Sequence, residues 1–435
     1  MTAVERKLEE DLRYSAPRVL AALMRRFGDL SACEDAVQEA LLIAASRWPV
    51  EGQPHDPVSW LVTVASRRRI DELRAQAARR DREAAYGADA TVEWSGQAGM
   101  DGSPEQAPAT GHDDSLDMLL LCCHPSLTVD SQIALTLRAA AGLGTARIAR
   151  LLLVPEATVA QRISRAKRAI ADAGGRFPAP EDSDRPTRTT AVLHVLYLLF
   201  TEGHTASTGE NLTDPPLSGE ALRLTRLVHQ ALPDDDEVCG LLALMLLSTA
   251  RGAARSTRTG ALVPLAEQDR RAWDQDLIAA GVALVEKALA AGPLGSYQLQ
   301  AAIAAVHAGA SDAASTDWPQ VLALYDLLYR VEPSPVVALN RVVAVAEVHG
   351  ASAALEVLDG LAADPRLARQ HRLHAVRAHL SERVGDLGGA REDYTEAAAR
   401  SSNETERSYL LEQEARIAAR MDQHPTGVGA QRRTS

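Results

Sequence analysis

The sequence has few cysteines and aromatic residues, and no long apolar run. Only 4 of its 435 residues are cysteine, and 4% are aromatic. The cysteines follow neither the paired spacing of a zinc site nor the framework of a disulfide-rich secreted domain, so we expect reduced core thiols, no metal and no cofactor. The apolar runs are too short to span a bilayer, and the charged N-terminus lacks the pattern of a signal peptide. These absences predict a cytoplasmic protein without membrane contact.

Length and composition together predict a helical protein of several domains. A chain of 435 residues is too long for one ordinary core, so we expect two to four domains. A hydrophobic content of 46% with 24% charged residues is typical of globular proteins. Leu, Ala, Arg and Val dominate, and alternating runs of Val, Ile and Thr are missing, which favours an all-α fold.

The net charge of −12 is unevenly distributed along the chain. Residues 1–176 contain 22 Lys and Arg against 24 Asp and Glu, a balance of −2, whereas the remainder carries −10. The N-terminal part concentrates its positive charge in two short stretches. Since local patches rather than totals decide binding to nucleic acid, the acidic total does not exclude a DNA-binding protein.

Residues 60–76 predict a helix with one buried face and a strongly basic remainder. Its apolar residues recur at spacings of one, three and four: Trp60, Leu61, Val64, Ala65, Ile70 and Leu73. Arg67, Arg68, Arg69 and Arg74 accompany them. Consecutive arginines on a helix point in different directions, so no single carboxylate could neutralise them all, whereas a polyanion running past the helix could. We therefore expect this helix to lie against DNA.

A helix with an acidic exposed face precedes the basic one. Ser31 can cap its start, and its predicted buried stripe consists of Ala36, Val37, Ala40, Leu41 and Ala44. The opposite face carries Asp35, Gln38 and Glu39. Such a face is usually only solvated surface. Here it comes just before a loop, residues 48–57, and the arginine helix, and this order favours a functional role.

Residues 131–172 predict a helix-turn-helix. Gly142 and Gly144 interrupt the chain, Thr145 can cap a short helix, and Pro155 predicts a stop and restart. The second helix has an inner face of Val159, Ile163, Ala166 and Ile170 and an outer face of Thr158, Gln161, Arg162, Arg165, Lys167 and Arg168. Short polar residues in its first turn suit base edges, and the basic residues suit phosphates. The alternative is a solvated basic helix in an unrelated bundle.

Changes in composition divide the chain into domains and linkers. We expect domains at 1–83, 114–173 and 190–421, a flexible acidic linker at 84–113, a second linker at 174–189 and a disordered tail at 422–435. In the last domain Gly350 and Gly385 stand 35 residues apart, each between two helices rich in Ala and Leu. This spacing is typical of stacked helical hairpins of the tetratricopeptide type.

Three residues of the last domain invite a metal or catalytic interpretation. His194 lies in an apolar helical run, and Glu202 and His204 follow in what is predicted to be a loop. A histidine on an apolar helix is more often a core residue, so we favour that interpretation and expect no catalytic residue. Asp274 and Asp317, each beside a tryptophan, are expected to cap helices.

Taken together, these stretches resemble a bacterial sigma factor of the extracytoplasmic-function (ECF) type, in the sigma-70 family. EDAVQEALLIAASRW followed by PVSWLVTVASRRRIDELRAQ resembles region 2 of that family, and SQIALTLRAAAGLGTARIARLLLVPEATVAQRISRAKRAI resembles region 4. The C-terminal part, with stretches such as LYLLFTEGHTASTGENL and DWPQVLALYDLLYRVEPSPVVALNRVVAVAE, resembles the long extension of one group of these factors. The resemblance implies a region 2-like bundle, a region 4-like helix-turn-helix and a tetratricopeptide-like extension.

The resemblance also implies roles for individual residues. Asp35, Gln38 and Glu39 would bind core RNA polymerase. The residues implied to contact −10-type promoter DNA are Trp60, Arg67, Arg68, Arg69 and Arg74, beside the 48–57 loop where the strands separate. The residues implied to contact the −35-type element are Glu156, Thr158, Gln161, Arg162, Arg165, Lys167 and Arg168. Such a protein initiates transcription at promoters without covalent chemistry of its own.

We interpret the acidic C-terminal part as a regulator that contacts the sigma domains within the same chain. Two other classes of protein stay open. A helix-turn-helix regulator would use residues 131–172 without polymerase. A ligand-binding helical array with a DNA-binding head would carry a pocket in residues 190–420. Neither class explains the region 2-like stretch.

Overall fold

The computed structural model describes residues 3–87, 114–172 and 185–423, apart from residues 125, 153, 291 and 369. These residues form eighteen α-helices and three short 3-10 helices, with no strand among them, which confirms the predicted all-α fold. The chain divides into two compact units, residues 1–195 and 196–435. No helix within the described ranges is both long enough and apolar enough to cross a membrane.

The first unit begins with a bundle of three helices that all contact one another. They are α1 (Ala3–Phe27), α2 (Leu30–Glu51) and α3 (Pro57–Gly87). Its core includes Val19, Leu23, Met24, Val37, Ala40 and Leu61, each at most 2% exposed. The apolar periodicity of the sequence therefore places the inner faces of the bundle as predicted, and leaves the polar faces of α2 and α3 to solvent.

Two boundaries of α2 differ from the prediction. Asp29, rather than Ser31, caps its start, and the Asp29 carboxylate accepts a hydrogen bond from the Ala32 N–H at 3.1 Å. The helix then continues through Pro49 to Glu51, so the predicted loop 48–57 shortens to residues 52–56. Gly52 ends the helix with φ of 86°, a left-handed conformation that glycine adopts without strain.

The predicted helix-turn-helix is present in the first unit. Four helices build it: α4 (Ser115–Cys122), α5 (Val129–Ala139), α6 (Thr145–Leu151) and α7 (Glu156–Asp172). The predicted inner face of α7 is buried, as Val159, Ile163, Ala166 and Ile170 show. Gly144 and not Thr145 is the N-cap of α6, because its backbone is extended (φ −68°, ψ 149°) while Thr145 is already helical.

Helix α8 (Arg185–His204) runs from the first unit into the second. It begins inside the predicted linker 174–189, because Pro186 stands in the first turn, where its missing N–H costs no hydrogen bond. Of the other predicted connections, residues 84–87 are helical, as the end of α3, and the rest of the 84–113 linker lies outside the described residues. The predicted tail at 422–435 lies outside them as well, beyond the end of α18 at Gln423.

The second unit is an array of helices in sequence order, most of them packed on their neighbours in the chain. They are α9 (Pro215–Ala231), α10 (Asp236–Ala250), α11 (Gln275–Leu289), α12 (Ser296–Gly309), α13 (Trp318–Val331), α14 (Pro335–His349), α15 (Ala351–Ala362), α16 (His371–Arg383), α17 (Leu387–Arg400) and α18 (Glu404–Gln423). Three 3-10 turns, Gly252–Ala254, Leu265–Glu267 and Arg270–Ala272, lie between α10 and α11. As predicted, Asp274 caps α11 and Asp317 caps α13.

The predicted repeat corresponds to two consecutive helix pairs, α14–α15 and α16–α17. Gly350 and Gly385 lie between the helices of each pair, with φ of 90° and 87°. Few residues other than glycine adopt this backbone conformation at low cost, which explains why the 35-residue interval is marked by glycine. The pairs stack in the manner of tetratricopeptide-like hairpins, over a core that runs from Leu299 to Leu380.

Asn403 joins the beginning of the second unit to its last helix. Its side chain is fully buried and donates hydrogen bonds to the carbonyl groups of Ala206 at 3.0 Å and Asn211 at 2.9 Å. Its amide oxygen accepts from the N–H groups of Thr405 and Glu406 at the start of α18. One side chain therefore satisfies four backbone groups separated by almost 200 residues of chain.

Candidate nucleic-acid interface

The acidic face of α2 is exposed as predicted. Asp35, Gln38 and Glu39 all face solvent. Leu42 continues the same face one turn later and is 71% exposed, an unusual position for a large apolar side chain. Leu42 was not among the predicted residues of this face, although its spacing of three and seven from Glu39 and Asp35 places it there. The surface thus combines two carboxylates, one amide and one apolar side chain, which suits a protein partner better than DNA.

The connection between α2 and α3 is held at both ends. Asp56 caps α3 through hydrogen bonds from the Ser59 N–H at 3.1 Å and the Ser59 hydroxyl at 2.6 Å, and these bonds lower the pKa of Asp56. Trp60 is half-buried and meets the buried Trp48 edge to face, with 5.5 Å between ring centroids. Trp60 is therefore positioned by a second tryptophan, Trp48, which was predicted to lie in a loop but belongs to α2.

Three of the four predicted arginines of α3 are exposed. Arg67, Arg68 and Arg74 face solvent, and Arg68 Nε lies 3.0 Å from a Glu39 carboxylate oxygen on α2. Both partners of this ion pair are more than half exposed, so the pair is weak and can exchange for a phosphate. The acidic face and the arginine face are consequently neighbours on one bundle.

Arg69 is the exception among these arginines. Its side chain is only 6% exposed and forms ion pairs with Asp29 at 3.7 Å and Glu72 at 2.9 Å. The reason is its position on α3, which turns it toward the start of α2 rather than toward solvent. We therefore assign Arg69 a structural role and leave it out of the DNA contact. The periodicity also placed Leu73 on the buried face, which is wrong, since Leu73 is 36% exposed beyond the end of the bundle core.

The recognition helix α7 presents most of its predicted outer face. Glu156, Gln161, Arg165 and Arg168 are exposed, and Thr158 is partly exposed in the first turn. Arg162 is engaged locally, because its guanidinium donates to Asp130 at 2.6 Å on the neighbouring α5. The face combines short polar residues near the helix start with cations further along, which is the arrangement that contacts base edges and phosphates.

Comparison with known protein families decides the relationship. Residues 12–79 match the family described as "Sigma-70 region 2", and residues 117–170 match "Sigma-70, region 4". The chain belongs to the sigma-70 family. Residues 188–289 match a "Family of unknown function (DUF6596)". A region 2, a region 4 and a long C-terminal extension in this order confirm the resemblance to an ECF-like sigma factor, and such factors are DNA-binding regulators that act with core RNA polymerase.

A relative shares almost the whole chain. "Uncharacterized protein R00370" of Rhizobium meliloti (strain 1021) is 39% identical over 403 residues, which are 93% of this chain and 94% of that protein. No solved structure matches this sigma factor. Since the shared length exceeds the two sigma regions, the relative has the extension as well.

Region 2 and region 4 contact each other in this sigma factor through Glu34. The Glu34 carboxylate accepts a hydrogen bond from Arg138 Nε of α5 at 3.1 Å and forms an ion pair with Lys167 Nζ of α7. Its side chain is only 15% exposed, so solvent screens these contacts weakly. A second contact joins Arg25 of α1 to Asp114, at 3.0 Å. Lys167, predicted to contact −35-type DNA, is therefore occupied by region 2.

The cysteines, and the three residues that invited a metal or catalytic interpretation, have structural surroundings. Cys122 and Cys123 are buried thiols, and burial raises the pKa of Cys123 to about 12. His194 is exposed, so its assignment to a core is wrong, because α8 turns it away from the apolar side of the helix. Glu202 and His204 belong to α8 and not to a loop, and His204 stacks on Phe200 with 5.4 Å between centroids. Among the described residues no cluster of three or more His, Cys, Asp or Glu could hold a metal ion.

Proposed function

We propose that this sigma factor binds core RNA polymerase through the exposed α2 face, Asp35, Gln38, Glu39 and Leu42, and promoter DNA through α3 and α7. The observation that carries the proposal is the position of an acidic, partly apolar face beside an exposed arginine face on one small bundle. One face suits a basic and apolar protein surface, and the other suits phosphates. A protein with these contacts gives a polymerase its promoter specificity, performs no covalent step and acts in the cytoplasm.

Within this proposal, Arg67, Arg68 and Arg74 hold −10-type DNA, and Trp60 stands beside the 52–56 loop where separated strands would be held. Trp60 offers part of its ring for stacking with an unpaired base. The −35-type element is contacted by α7: Glu156, Thr158 and Gln161 point to base edges from its first turns, and Arg162, Arg165, Lys167 and Arg168 approach phosphates.

Reversing the charge of Asp35 and Glu39 together is expected to abolish binding to core polymerase. The double variant D35R/E39R turns two attractive contacts into repulsive ones, and we expect affinity to fall by at least about 100-fold. The measurement is co-purification with core polymerase, followed by titration with labelled protein. The matched control is E356R/D359R, which reverses two exposed acids on α15 and should bind normally. Unchanged binding by D35R/E39R would instead favour a helix-turn-helix regulator that acts without polymerase.

Neutralising the exposed arginines of α3 is expected to reduce the salt dependence of promoter binding. Each phosphate contact contributes about 0.9 to the slope of log affinity against log salt, so the triple variant R67Q/R68Q/R74Q should lower the slope of the holoenzyme by about 2 to 3. R330Q, an exposed arginine of α13, is the matched control and should leave the slope unchanged. Equal slopes for the wild type and the triple variant would place the DNA contact elsewhere.

We also propose that the Glu34 contact belongs to a closed form that opens on promoter DNA. The names of the −10 and −35 elements place them about 25 base pairs apart, which is roughly 85 Å of duplex at about 3.4 Å per base pair. A hydrogen bond between region 2 and region 4 does not persist when each region occupies its own element. In the closed form Glu34 takes the place of a phosphate at Lys167.

The C-terminal extension is proposed to regulate these steps from within the same chain. Its residues carry most of the negative charge, and a tethered acidic part competes for cationic helices at high effective concentration. A chain that ends at Val195 keeps the half of α8 that belongs to the first unit. We expect this truncated form to bind promoter DNA with core polymerase more tightly than the full chain, by about tenfold or more. Equal transcription from both forms, in cells and with purified components, would contradict the regulatory role.

A further inference from the structure

Four buried polar atoms in the C-terminal unit have no hydrogen-bond partner and share one neighbourhood. They are Trp273 Nε1, Arg270 Nε, His204 Nε2 and His307 Nδ1. Buried polar groups are nearly always hydrogen-bonded, and each one left alone costs on the order of 1–3 kcal/mol. Four such atoms close together suggest that a ligand binds there. Their common neighbour Arg251 indicates the charge of that ligand.

Arg251 follows α10 and lies beside the Trp273 ring. Its guanidinium carbon is 5.9 Å from the centroid of the Trp273 ring, and the guanidinium carbon of Arg270 is 5.1 Å from the same centroid. Burial, together with the charges of Arg255 and Arg251, lowers the pKa of His204 to about 3, and burial, together with the charges of Arg251 and Arg270, lowers that of His307 to about 4. Arg251 is therefore close to all four orphaned atoms or to the side chains that carry them.

Two of the four atoms, Trp273 Nε1 and Arg270 Nε, are donors that lack an acceptor. Arg270 donates three of its five N–H groups, to the carbonyls of His307 and Ala310 and to the Thr316 hydroxyl, and its Nε makes no hydrogen bond. The indole Nε1 can donate but not accept. The Arg251 guanidinium forms no hydrogen bond or ion pair with any residue whose structure is described, and no carboxylate in the described ranges is within ion-pair distance of Arg251 or Arg270.

We infer that the C-terminal unit binds the carboxylate of a small organic acid at Arg251, with Trp273 Nε1 and Arg270 Nε as further donors. A carboxylate accepts about four hydrogen bonds, and a guanidinium presents a two-donor fork that matches it. The fork and the two buried donors complete that number. Trp273 is 3% exposed and Arg270 is 8% exposed, so the ligand is a small molecule and not a folded partner. The site does not depend on the proposed role in transcription.

The electrostatics of the neighbourhood support a negative ligand. Burial and, after it, the charge of Arg251 lower the pKa of Arg255 to about 10. The Arg255 guanidinium itself donates hydrogen bonds to the His204 carbonyl and to the Thr205 hydroxyl, the latter at 2.9 Å. Cations held together in a weakly solvated region repel one another, so an anion at Arg251 relieves this repulsion as well as satisfying the donors.

The test uses the full-length protein and sodium acetate as the probe. Its thermal midpoint is measured in about 0.1 M acetate and in sodium chloride of the same ionic strength, at pH 7. We expect acetate to raise the midpoint of the C-terminal unit by about 3 °C relative to chloride, as a weak ligand near ten times its dissociation constant would. R251Q should lose this rise. The matched control is R258Q, which changes an exposed arginine between α10 and α11 and should keep the rise.

A second measurement reports the site directly. The indole N–H signal of Trp273, assigned by its loss in W273F, should move on addition of acetate while the other tryptophan signals stay in place. W273F keeps an aromatic ring but removes the indole N–H, and we expect it to bind acetate about tenfold more weakly. No difference between acetate and chloride, a rise that R251Q retains, or an unmoved Trp273 signal would overturn the site. A response to inorganic phosphate but not to acetate would overturn the assignment to a carboxylate.

Discussion

Replacing Glu34 by glutamine is expected to open the contact between region 2 and region 4. The substitution keeps the shape of the side chain but removes the charge that holds Arg138 and Lys167. Because Glu34 is largely buried and both cations are less than one third exposed, we expect the closed form to lose roughly 2 kcal/mol, which is about a 30-fold shift toward the open form. Energy transfer between dyes at S46C and D172C measures the populations.

Glu39 provides the matched control for this experiment. Its ion pair with Arg68 joins the same two kinds of charge, but both side chains are more than half exposed. An exposed pair contributes about 0–1 kcal/mol, so E39Q should leave the populations within about fivefold of wild type. Identical transfer distributions for wild type and E34Q would show that Glu34 does not hold the closed form. Addition of core polymerase and promoter DNA should give the open distribution with either protein.

Mild acid is expected to destabilise the C-terminal unit strongly, through His204 and His307. Burial lowers their pKa values in the folded protein to about 3 and about 4, from an ordinary value of 6.5. Between these values the unfolded chain binds protons that the folded chain does not, so stability is fully present above pH 6.5 and falls as the pH decreases. Each histidine then costs about 1.4 kcal/mol per pH unit, or roughly 4 kcal/mol for the pair at pH 5.

Unfolding in urea at pH 7 and pH 5 tests this expectation. Pulsed hydrogen exchange on peptides from α8 and α12 reports the unit that holds the two histidines. The variants H204Q and H307Q should each remove about half of the pH dependence, while H349Q, an exposed histidine at the end of α14, should leave it unchanged. Burial also lowers the pKa values of His229 and His379, so a smaller slope should remain in the double variant. A wild-type stability that is equal at both pH values would contradict the burial of neutral histidines.

The helices, their inner faces and the family were accessible from the sequence because each depends on residues close together in the chain. Apolar residues at helical spacing placed Val37, Leu61, Val159 and Ile163 inside, and the structure buries all four. Boundaries were less accessible, since a helix end is decided by competition between neighbouring caps. Asp29 caps the start of α2 instead of Ser31, and α2 continues through Pro49.

The tertiary structure alone decided which charged side chains remain available to partners. Arg67, Arg68 and Arg69 are adjacent in sequence and equally basic, yet only Arg69 is buried, because α2 places Asp29 beside it. Glu34 finds its partners 104 and 133 residues away, a distance over which no periodicity carries information. The donors around Trp273 are likewise brought together by packing, because Arg251 ends α10 and Arg270 belongs to the 3-10 turn that ends at Trp273. The sequence by itself therefore determined what the parts of this sigma factor are, and packing between distant helices determined which of their charges are free to act.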